Sequence, residues 1–575
     1  MSRKAVLALA TLLVLALCVQ ILISVRATSP TFDEPYHILR SYVYLTTGDD
    51  ALLAQGGHPP LANMVSVAPL WLRDDITLPL HQPGWPQVRQ FKDLFAVADA
   101  FLWRIGNDAD SIVLWARLPG VLLSVLGALL VFVWSRQLHG QLAALLGLLL
   151  YTFDPNIIAH SSVVTTDLGA TVVVLATVYC LWRFCQRPRW SSLLLTGVLF
   201  GLAQGTKFSA LFLAPICLVL LVMWMSKRSS STPPLSLPLA QRLGGHPGLQ
   251  RAYSVLFLCL VIFLVGAVVL WGVYGFRVSP LLPHEDSHPL LDRILPTSHL
   301  LVRRVAYSLA ERFPVPAPAY FAELAWLQRY ARSGHASFLM GEYGRSGWWF
   351  YFPVAFVIKT PIPVLILLLA TVYQSIRHKR LAHQEAYFLV VPAALFFVSS
   401  MFSSIDIGYR NILPVLPLLF IYMGQVATRA AGRLARGALL VLCAWCVLGT
   451  VLLSPHYLAY FNELVGGPSN GYKYLVDSNL DWGQDLKHLK RYLDSRDVPE
   501  VHLSYFGTAD PGYYGIHFLP MPTQPPAAGA EPAYYVISAT SLQGVYAGSA
   551  NGAHWLARYE PSDRVGYSMF VYHLP

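Results

Sequence analysis

Residues 5–25, AVLALATLLVLALCVQILISV, form a predominantly apolar run without a charged residue, and the stretch PTFDEPYH at residues 30–37 follows it closely. About 20 apolar residues in a helix cross the hydrocarbon core of a bilayer, so this run predicts a membrane span. It is longer than the roughly 7–15 residues of a signal-peptide core and no small-x-small cleavage pattern follows, which favours an uncleaved span. Asp33 and Glu34 then lie just beyond the end of the first membrane span. Charge there is costly and predicts function, although both acids could instead face water at the end of a helix.

Apolar runs of similar length recur along the chain. Of its 575 residues, 55% are hydrophobic and only 13% are charged. The span length of a helix therefore predicts a polytopic α-helical membrane protein with about eleven spans. Their expected positions are residues 5–25, 112–134, 141–158, 168–186, 191–206, 208–226, 253–276, 351–373, 385–402, 410–427 and 437–453.

The short loops set the orientation, because cytoplasmic loops carry an excess of Lys and Arg. With the N-terminus in the cytoplasm, the short loops on that side are basic, whereas the short outer loops 159–167 and 403–409 contain neither residue. This asymmetry predicts a multi-pass protein of the cell (inner) membrane with an odd number of spans. The cytoplasmic basic residues are Arg3, Lys4, Arg136, Arg187, Arg189, Lys227, Arg228, Arg242, Arg251, Arg377, Lys379, Arg380, Arg429, Arg433 and Arg436.

Three large segments then share the outer, periplasmic face: the loops 26–111 and 277–350, and the tail from residue 454. We divide the chain into a transmembrane domain, residues 1–453, and a small extramembrane α/β domain, residues 454–575. The cytoplasmic segment 229–250 is rich in Ser and Pro, as in a flexible linker. The tail has strand-like runs at Val501–Phe506, Tyr534–Ser538 and Tyr567–His573 and a predicted helix at Asp481–Leu493, whose charges match the helix dipole.

Other function classes are disfavoured. The net charge is +10, but no basic stripe with interleaved aromatic residues predicts nucleic-acid binding. All seven cysteines lie in apolar runs, so no disulfide framework is expected, and the CAWC spacing at residues 443–446 is attributed to packing. No internal repeat of the kind found in inverted-repeat transporters is visible.

Charged side chains recur at the outer ends of the predicted spans. Any one of them could cap a helix or extend to the membrane surface, but their common depth favours a shared site. Carboxylates can take a proton from a hydroxyl, and Lys and Arg can hold a phosphate. The set therefore suggests group transfer from a lipid-linked phosphate. The candidates are Asp33, Glu34, His58, Asp167, Lys207, Lys359 and Arg410.

Five motifs carry a family resemblance over residues 1–453: Phe32-Asp33-Glu34-Pro35-Tyr36-His37, His58-Pro59-Pro60-Leu61, Thr165-Thr166-Asp167, Gly205-Thr206-Lys207-Phe208 and Gly408-Tyr409-Arg410-Asn411-Ile412-Leu413-Pro414. The chain resembles polytopic glycosyltransferases that use polyprenyl-phosphate sugars, the protein O-mannosyltransferases and bacterial lipid A aminoarabinose transferases of glycosyltransferase family 39. The resemblance implies a GT-C-type fold.

The resemblance also implies roles. Asp33 corresponds to the acid proposed as general base, and Glu34 to a second acid that orients or binds substrate. Lys207 and Arg410 stand where the family binds phosphate, while Asp167 matches a further acidic position. His58 would line the same cavity, and Lys359 is a further candidate for substrate binding. The implied reaction is an inverting transfer of a sugar to a hydroxyl of a protein, lipid or glycan.

The chain also departs from the family's relatives. No sugar-binding repeat domain is visible in the second outer loop, and Gly347-Trp348-Trp349-Phe350-Tyr351 lacks the acid of the oligosaccharyltransferase signature. The tail motif at residues 477–485, DSNLDWGQD, resembles a tail of bacterial relatives. Two interpretations of it stay open: contact with the acceptor, or a helix N-cap with a buried Trp.

Nothing in the sequence requires a cofactor or a metal, because Lys207 and Arg410 already supply positive charge. Two rival functions remain. A transporter would place charges mid-span along a pathway, and a non-catalytic envelope glycan assembly protein would keep the cavity without the chemistry.

Overall fold

Helices make up most of the chain. The computed structural model describes residues 2–50, 52–53, 56–79, 91–228, 246–281, 307–308, 310–379, 384–527, 531–546 and 552–574. Six of its helices are long and apolar enough to cross a bilayer. They are Arg3–Ala27, Ala109–His139, Thr166–Gln186, Phe208–Lys227, Pro247–Val273 and Gly432–Leu452.

Two further spans are broken. Gln141–Thr152 and Pro155–Ser161 meet at 60°, and Tyr351–Lys359 and Ile362–Arg377 meet at 111°. A proline lies at or near each break, where its missing N–H ends the helical hydrogen bonding. At the second break Asn462 Nδ2 donates to the carbonyls of Val357 and Thr360 at 2.6 and 2.8 Å. Broken backbone at this depth needs such partners, and here the tail supplies them.

Shorter apolar helices complete the predicted set. Trp190–Gln204, Glu385–Ser400 and Val415–Arg429 lie at the three remaining predicted spans, while Leu61–Leu72 belongs to the loop 26–111. By length and composition the described residues contain six spans, or up to eight if each bent pair is one. This is fewer than the predicted eleven, because these three helices are shorter than the length that crosses a bilayer. The predicted class, a polytopic helical membrane protein, is confirmed. Of the predicted linker 229–250, residues 229–245 lie outside the described residues.

Small residues bring two of these helices into backbone contact. A Cβ on Gly201 would collide with the backbone of Gly266, and one on Gly197 would lie 2.7 Å from Val265. Glycine at such positions allows close helix packing where lipid provides no hydrophobic driving force. The helices Trp190–Gln204 and Pro247–Val273 therefore pack as a pair, and the first ends just before Lys207.

The tail contains the predicted α/β domain. Its sheet has the order Phe518–Pro520, Val501–Ser504, Ala533–Ser538, Met569–Leu574, Asp563–Val565. The pairs on either side of Val501–Ser504 are parallel, and the remaining two are antiparallel. All three predicted strands are present, and a helix covers Leu486–Asp494.

The predicted helix from Asp481 starts five residues too early. Leu486 is the first helical residue, because the preceding segment is used for other contacts. Gly483 has φ +89°, and a Cβ there would lie 2.9 Å from Gly507. Asp481 accepts from the N–H of Thr540 at 2.7 Å. Tertiary contacts of the tail motif therefore override the helical pattern.

The tail packs directly against the start of the loop 26–111. Ser29 N–H donates to the carbonyl of Gln484 at 2.9 Å, and Phe32 N–H donates to that of Trp482 at 2.8 Å. Backbone hydrogen bonds of this kind fix the position of one segment relative to the other. The tail motif is thus held one residue from Asp33.

Candidate active site

Asp33 lies directly before the helix Glu34–Thr47 and presents its carboxylate to Arg410. It occupies the N-cap position, yet its side chain makes no capping hydrogen bond. Instead Oδ2 accepts from Nη1 of Arg410 at 3.2 Å. The side chain of Asp33 is 17% exposed and that of Arg410 is 12% exposed. The pair is therefore sheltered but accessible.

The surroundings raise the pKa of Asp33 above its ordinary range. Burial is the main cause; Arg410 opposes it, and the negative charges of Asp477 and Asp167 add to it. A carboxylate with a raised pKa is a stronger base than an Asp in water. This environment suits proton abstraction from a hydroxyl.

Glu34 has a different environment from its neighbour. Its side chain is fully buried and forms a fork with Arg117, with oxygen–nitrogen distances of 2.8 and 2.6 Å. The backbone N–H groups of Thr31 and Val164 donate to the same carboxylate at 2.7 and 2.8 Å. Burial alone would raise the pKa of Glu34, but Arg117 and these donors hold it below its ordinary value. Both oxygens of Glu34 accept from protein donors, so its carboxylate belongs to the buried framework next to Asp33.

Arg410 is held by the tail motif. Its guanidinium lies 4.3 Å from the ring centre of Trp482, a favourable cation–π position. The backbone N–H of Tyr409 donates to Oδ1 of Asn479 at 2.9 Å, and a Cβ at Gly408 would collide with Ser478. Burial lowers the pKa of Arg410, but the carboxylates of Asp33, Asp167 and Asp477 outweigh it and raise that pKa. Arg410 therefore remains a cation among three acids.

Asp167 and Lys207 form the second ion pair of the site. Nζ of Lys207 lies 2.5 Å from Oδ1 of Asp167 and 3.0 Å from Oδ1 of Asn411. Asp167 is nearly buried, whereas Lys207 keeps 13% of its side chain exposed. Asn411 follows Arg410 in the chain. The structure thus brings together the cations Lys207 and Arg410, as the sequence predicted.

His58 lines the same region in its neutral form. Burial, and then the charges of Lys207 and Arg40, lower the pKa of His58 to about 3. Its Nδ1 is buried and has no hydrogen-bond partner among the described residues. Arg40 positions this loop, since Nη2 donates to the His58 carbonyl at 2.6 Å and also pairs with the buried Glu323 at 2.6 Å. A neutral ring with a free nitrogen can accept or donate one hydrogen bond to a substrate hydroxyl.

Lys359 does not join this group. Its side chain is buried, and Nζ donates to the carbonyls of Leu458, Tyr460 and Asn479 at 3.0, 3.0 and 2.5 Å. An ammonium group has three donors, so these carbonyls use all of them. The structure therefore shows Lys359 fastening the tail to the broken span.

Sequence reasoning missed Arg117 as a partner of the acidic pair. Arg117 lies inside the helix Ala109–His139, and besides Glu34 it donates to the carbonyls of Val25, Thr28 and Ser29 at 2.9–3.1 Å. A charge within a predicted span was the available signal, because such residues are rare and are usually paired.

The tail motif adds a third carboxylate to the site. Asp477 has φ +58°, an uncommon conformation for a residue other than glycine, and accepts from the hydroxyl of Tyr546. Its charge acts on both Asp33 and Arg410. Trp482 is buried, as the second interpretation of the motif proposed, but Asp485 makes no capping hydrogen bond.

Aromatic rings connect the motif at residues 30–37 with the tail. Phe32 stacks on Phe506 at 5.0 Å between ring centres, and Phe506 stacks on Tyr546 at 5.2 Å. Ligand sites are commonly lined by aromatic side chains around a few polar groups. This row of rings begins at Phe32, next to Asp33 in the chain, and ends at Tyr546, whose hydroxyl donates to Asp477.

Residues 100–240 match the family model described as dolichyl-phosphate-mannose-protein mannosyltransferase. The matched segment contains Asp167 and Lys207. The match confirms the resemblance to polyprenyl-phosphate-sugar-dependent membrane glycosyltransferases.

The solved structures that are similar to the chain include the following three. ArnT from Cupriavidus metallidurans bound to undecaprenyl phosphate is 14% identical, with 99% of this chain and 98% of that chain covered and a TM-score of 0.46. The Archaeoglobus fulgidus oligosaccharyltransferase in the apo form is 13% identical, with coverages of 76% and 54% and a TM-score of 0.39. The S. cerevisiae protein O-mannosyltransferase Pmt1-Pmt2 complex bound to the sugar donor is 17% identical, with coverages of 48% and 36% and a TM-score of 0.31. No curated protein matches the chain.

Proposed function

We propose that this chain transfers a sugar from a polyprenyl-phosphate donor to an acceptor hydroxyl, with inversion, at the outer face of the cell membrane. The observation that carries the proposal is the contact between Asp33 and Arg410, 3.2 Å apart, beside the Asp167–Lys207 pair. One partly exposed base and two partly exposed cations thus lie at one site. These are the groups that sugar transfer from a lipid phosphate requires.

The outer face is supported by the distribution of basic residues. Two short loops, residues 159–167 with Asp167 and residues 403–409 with Asp406, contain no Lys or Arg. The loops at the other ends of the spans are basic. Positive residues mark the cytoplasmic side. The proposed site therefore faces away from the cytoplasm, together with the tail.

Asp33 acts as the general base in this proposal. The acceptor oxygen forms a bond to the anomeric carbon while the bond from that carbon to the phosphate oxygen breaks. The electron pair of the broken bond leaves with polyprenyl phosphate, and the hydroxyl proton passes to Asp33. A single displacement of this kind inverts the configuration at the anomeric carbon.

Arg410 and Lys207 stabilise the leaving phosphate. The guanidinium offers a planar fork to two phosphate oxygens, and the ammonium acts as a point charge. Donors placed in advance where charge develops stabilise the transition state without later reorganisation. Asp167 and Asn411 hold Lys207, and Trp482 holds Arg410, so both cations are fixed before substrate binds.

The test uses the purified full chain in lipid nanodiscs with a polyprenyl-phosphate-linked sugar and a panel of protein, lipid and glycan acceptors. We expect release of polyprenyl phosphate and a glycosylated product for the wild type, and a loss of about 10²–10⁴-fold for Asp33→Asn. Asp75→Asn is the matched control, because Asp75 lies in the same outer loop and is 63% exposed. Full activity of Asp33→Asn would refute the assignment of the base. Failure of the wild type to release polyprenyl phosphate with any donor, or movement of the intact donor across the bilayer, would refute the enzyme proposal.

A further inference from the structure

A second cluster of polar side chains lies where the last apolar helix meets the tail. His456 follows the helix Gly432–Leu452, Asp485 directly precedes the helix Leu486–Asp494, and His488 lies in its first turn. Nδ1 of His488 and Nδ1 of His456 lie 2.9 and 3.6 Å from Oδ1 of Asp485. One potential ligand atom from each residue lies within 4.8 Å of the others.

The carboxylate of Asp485 is oriented by its surroundings so that one oxygen points into this cluster. Oδ2 accepts from the hydroxyl of Ser568 at 2.6 Å and from the amide of Gln484 at 3.2 Å. The hairpin that carries Ser568 can approach because Gly566 has no side chain: a Cβ there would lie 2.6 Å from the carboxylate. Donors on the outer oxygen that leave the inner one free are typical of metal-binding carboxylates.

The inner atoms form close ion-pair contacts with one another but no well-directed hydrogen bond. Asp485 is fully buried, and neither its Oδ1 nor Nδ1 of His488 has a hydrogen-bond partner among the described residues. The two atoms are close, but their directions do not meet the geometry of a hydrogen bond. A buried carboxylate oxygen that faces two imidazoles without a well-directed hydrogen bond is incompletely satisfied, and a metal ion between these atoms would satisfy it.

We propose that His456, Asp485 and His488 bind one Zn²⁺ ion. Two imidazoles and one carboxylate are a common zinc ligand set. Bonds of about 2.0–2.2 Å in tetrahedral geometry separate neighbouring ligand atoms by about 3.3 Å. The observed separations of 2.9 and 3.6 Å bracket this value. The fourth position stays open to water.

The zinc ion ties three segments of the chain together: the end of the last span, the tail helix and the loop before that helix. The same loop contains Trp482, over which Arg410 lies at 4.3 Å, and Gln484, whose carbonyl accepts from Ser29. The ion thus fixes the loop against the membrane domain without contacting Asp33. Its role is to position the loop and not to take part in the transfer.

Zinc content tests the proposal. The full chain is purified with a tag that contains no histidine, and metals are measured by mass spectrometry. We expect one zinc per chain in the wild type and in His517→Ala, a control at an exposed histidine outside the cluster. His456→Asn and His488→Ala are expected to lose the metal. Ser568→Ala, which removes only the donor to Oδ2, is expected to weaken Zn²⁺ binding by about 10–100-fold.

Chelation gives a second test that needs no variant. Removal of metal should lower the thermal unfolding temperature of the wild type, and Zn²⁺ alone should restore it, with neither effect in His488→Ala. The inference is overturned if the chelated wild type does not take up one zinc per chain when Zn²⁺ is added back, or if His488→Ala binds zinc as well as His517→Ala does. Sugar transfer is not the readout, so failure of the zinc site and failure of the proposed activity are distinguishable.

Discussion

Asp33 and Arg410 are 377 residues apart in the chain, yet Nη1 of the arginine lies 3.2 Å from Oδ2 of the aspartate. The arginine has two functions in the proposed reaction, because the same cation that holds the leaving phosphate also sets the basicity of Asp33. Changes at Arg410 should therefore alter both the rate and its dependence on pH.

Replacement of Arg410 by Gln should lower kcat by about 10²–10³-fold, the usual cost of losing one preorganised donor to a developing charge. The pH profile should also change. Arg410 lowers the pKa of Asp33, so its removal raises that pKa further, and the activity lost as the pH falls is lost at a higher pH. Rates from pH 5 to 9 would show this shift. Arg496→Gln, at an exposed arginine paired with Asp563, serves as the control. If the fall of activity at low pH (the acidic limb of the profile) stays at the same pH in Arg410→Gln, the coupling is contradicted.

The buried pair of Glu34 and Arg117 should stabilise the fold and not the chemistry. Each single replacement, Glu34→Gln or Arg117→Met, leaves a buried charge without its partner, and we expect a loss of about 3–5 kcal/mol in the free energy of unfolding. The double variant should lose less than the sum of the two.

The pKa of Glu34 is lowered in the folded state, so its contribution to stability is present above the ordinary pKa of a glutamate and is lost as the pH falls through the folded-state value. Denaturation curves at pH 7 and pH 4 measure both effects. Strictly additive losses would argue against a coupled pair.

Much of this arrangement could be predicted from the sequence. Most of the spans followed from the length of the apolar runs, and the common depth of Asp33, Asp167, Lys207 and Arg410 predicted their meeting. The sequence could not distinguish the roles of the neighbouring acids Asp33 and Glu34. Their roles differ because Glu34 pairs with Arg117, whereas Asp33 faces Arg410 in the site. Pairing with a residue in another helix is a tertiary property that no local pattern reports.

The tail shows a second limit. Its strands were visible as alternating runs, but the helical pattern from residue 481 was overridden by the contacts of Asp481 and Gly483. Lys359 has the charge and the position in the sequence expected of a phosphate ligand. Only the folded chain reveals that its ammonium group donates to three backbone carbonyls.

Lys359 and Lys207 should consequently respond differently to replacement. Lys359→Met leaves three buried carbonyls without donors, at about 1–3 kcal/mol for each unsatisfied group, and should lower the unfolding temperature while folded protein binds polyprenyl phosphate normally. Lys207→Gln combined with Asp167→Asn keeps the pair neutral and hydrogen-bonded, and should weaken lipid-phosphate binding with a small effect on stability. Thermal unfolding and binding of polyprenyl phosphate to the same preparations separate the two roles. Lys490→Gln, at a partly exposed lysine on the tail helix, is the control.

Replacement of Asp477 by Asn should shift the pH profile in the direction opposite to Arg410→Gln. The negative charge of Asp477 raises the pKa of Asp33, so its removal lowers that pKa. Asp33 then stays deprotonated to a lower pH, and the acidic limb of the activity moves down. Asn preserves the size of the side chain and tolerates the positive φ of +58° at this position, so the backbone is not strained by the change. Tyr546→Phe is the matched control, because it removes the hydroxyl bonded to Asp477 and keeps the carboxylate charge. If the pH at which activity falls on the acidic side rises in Asp477→Asn, or shifts equally in Tyr546→Phe, the charge of Asp477 does not act on Asp33.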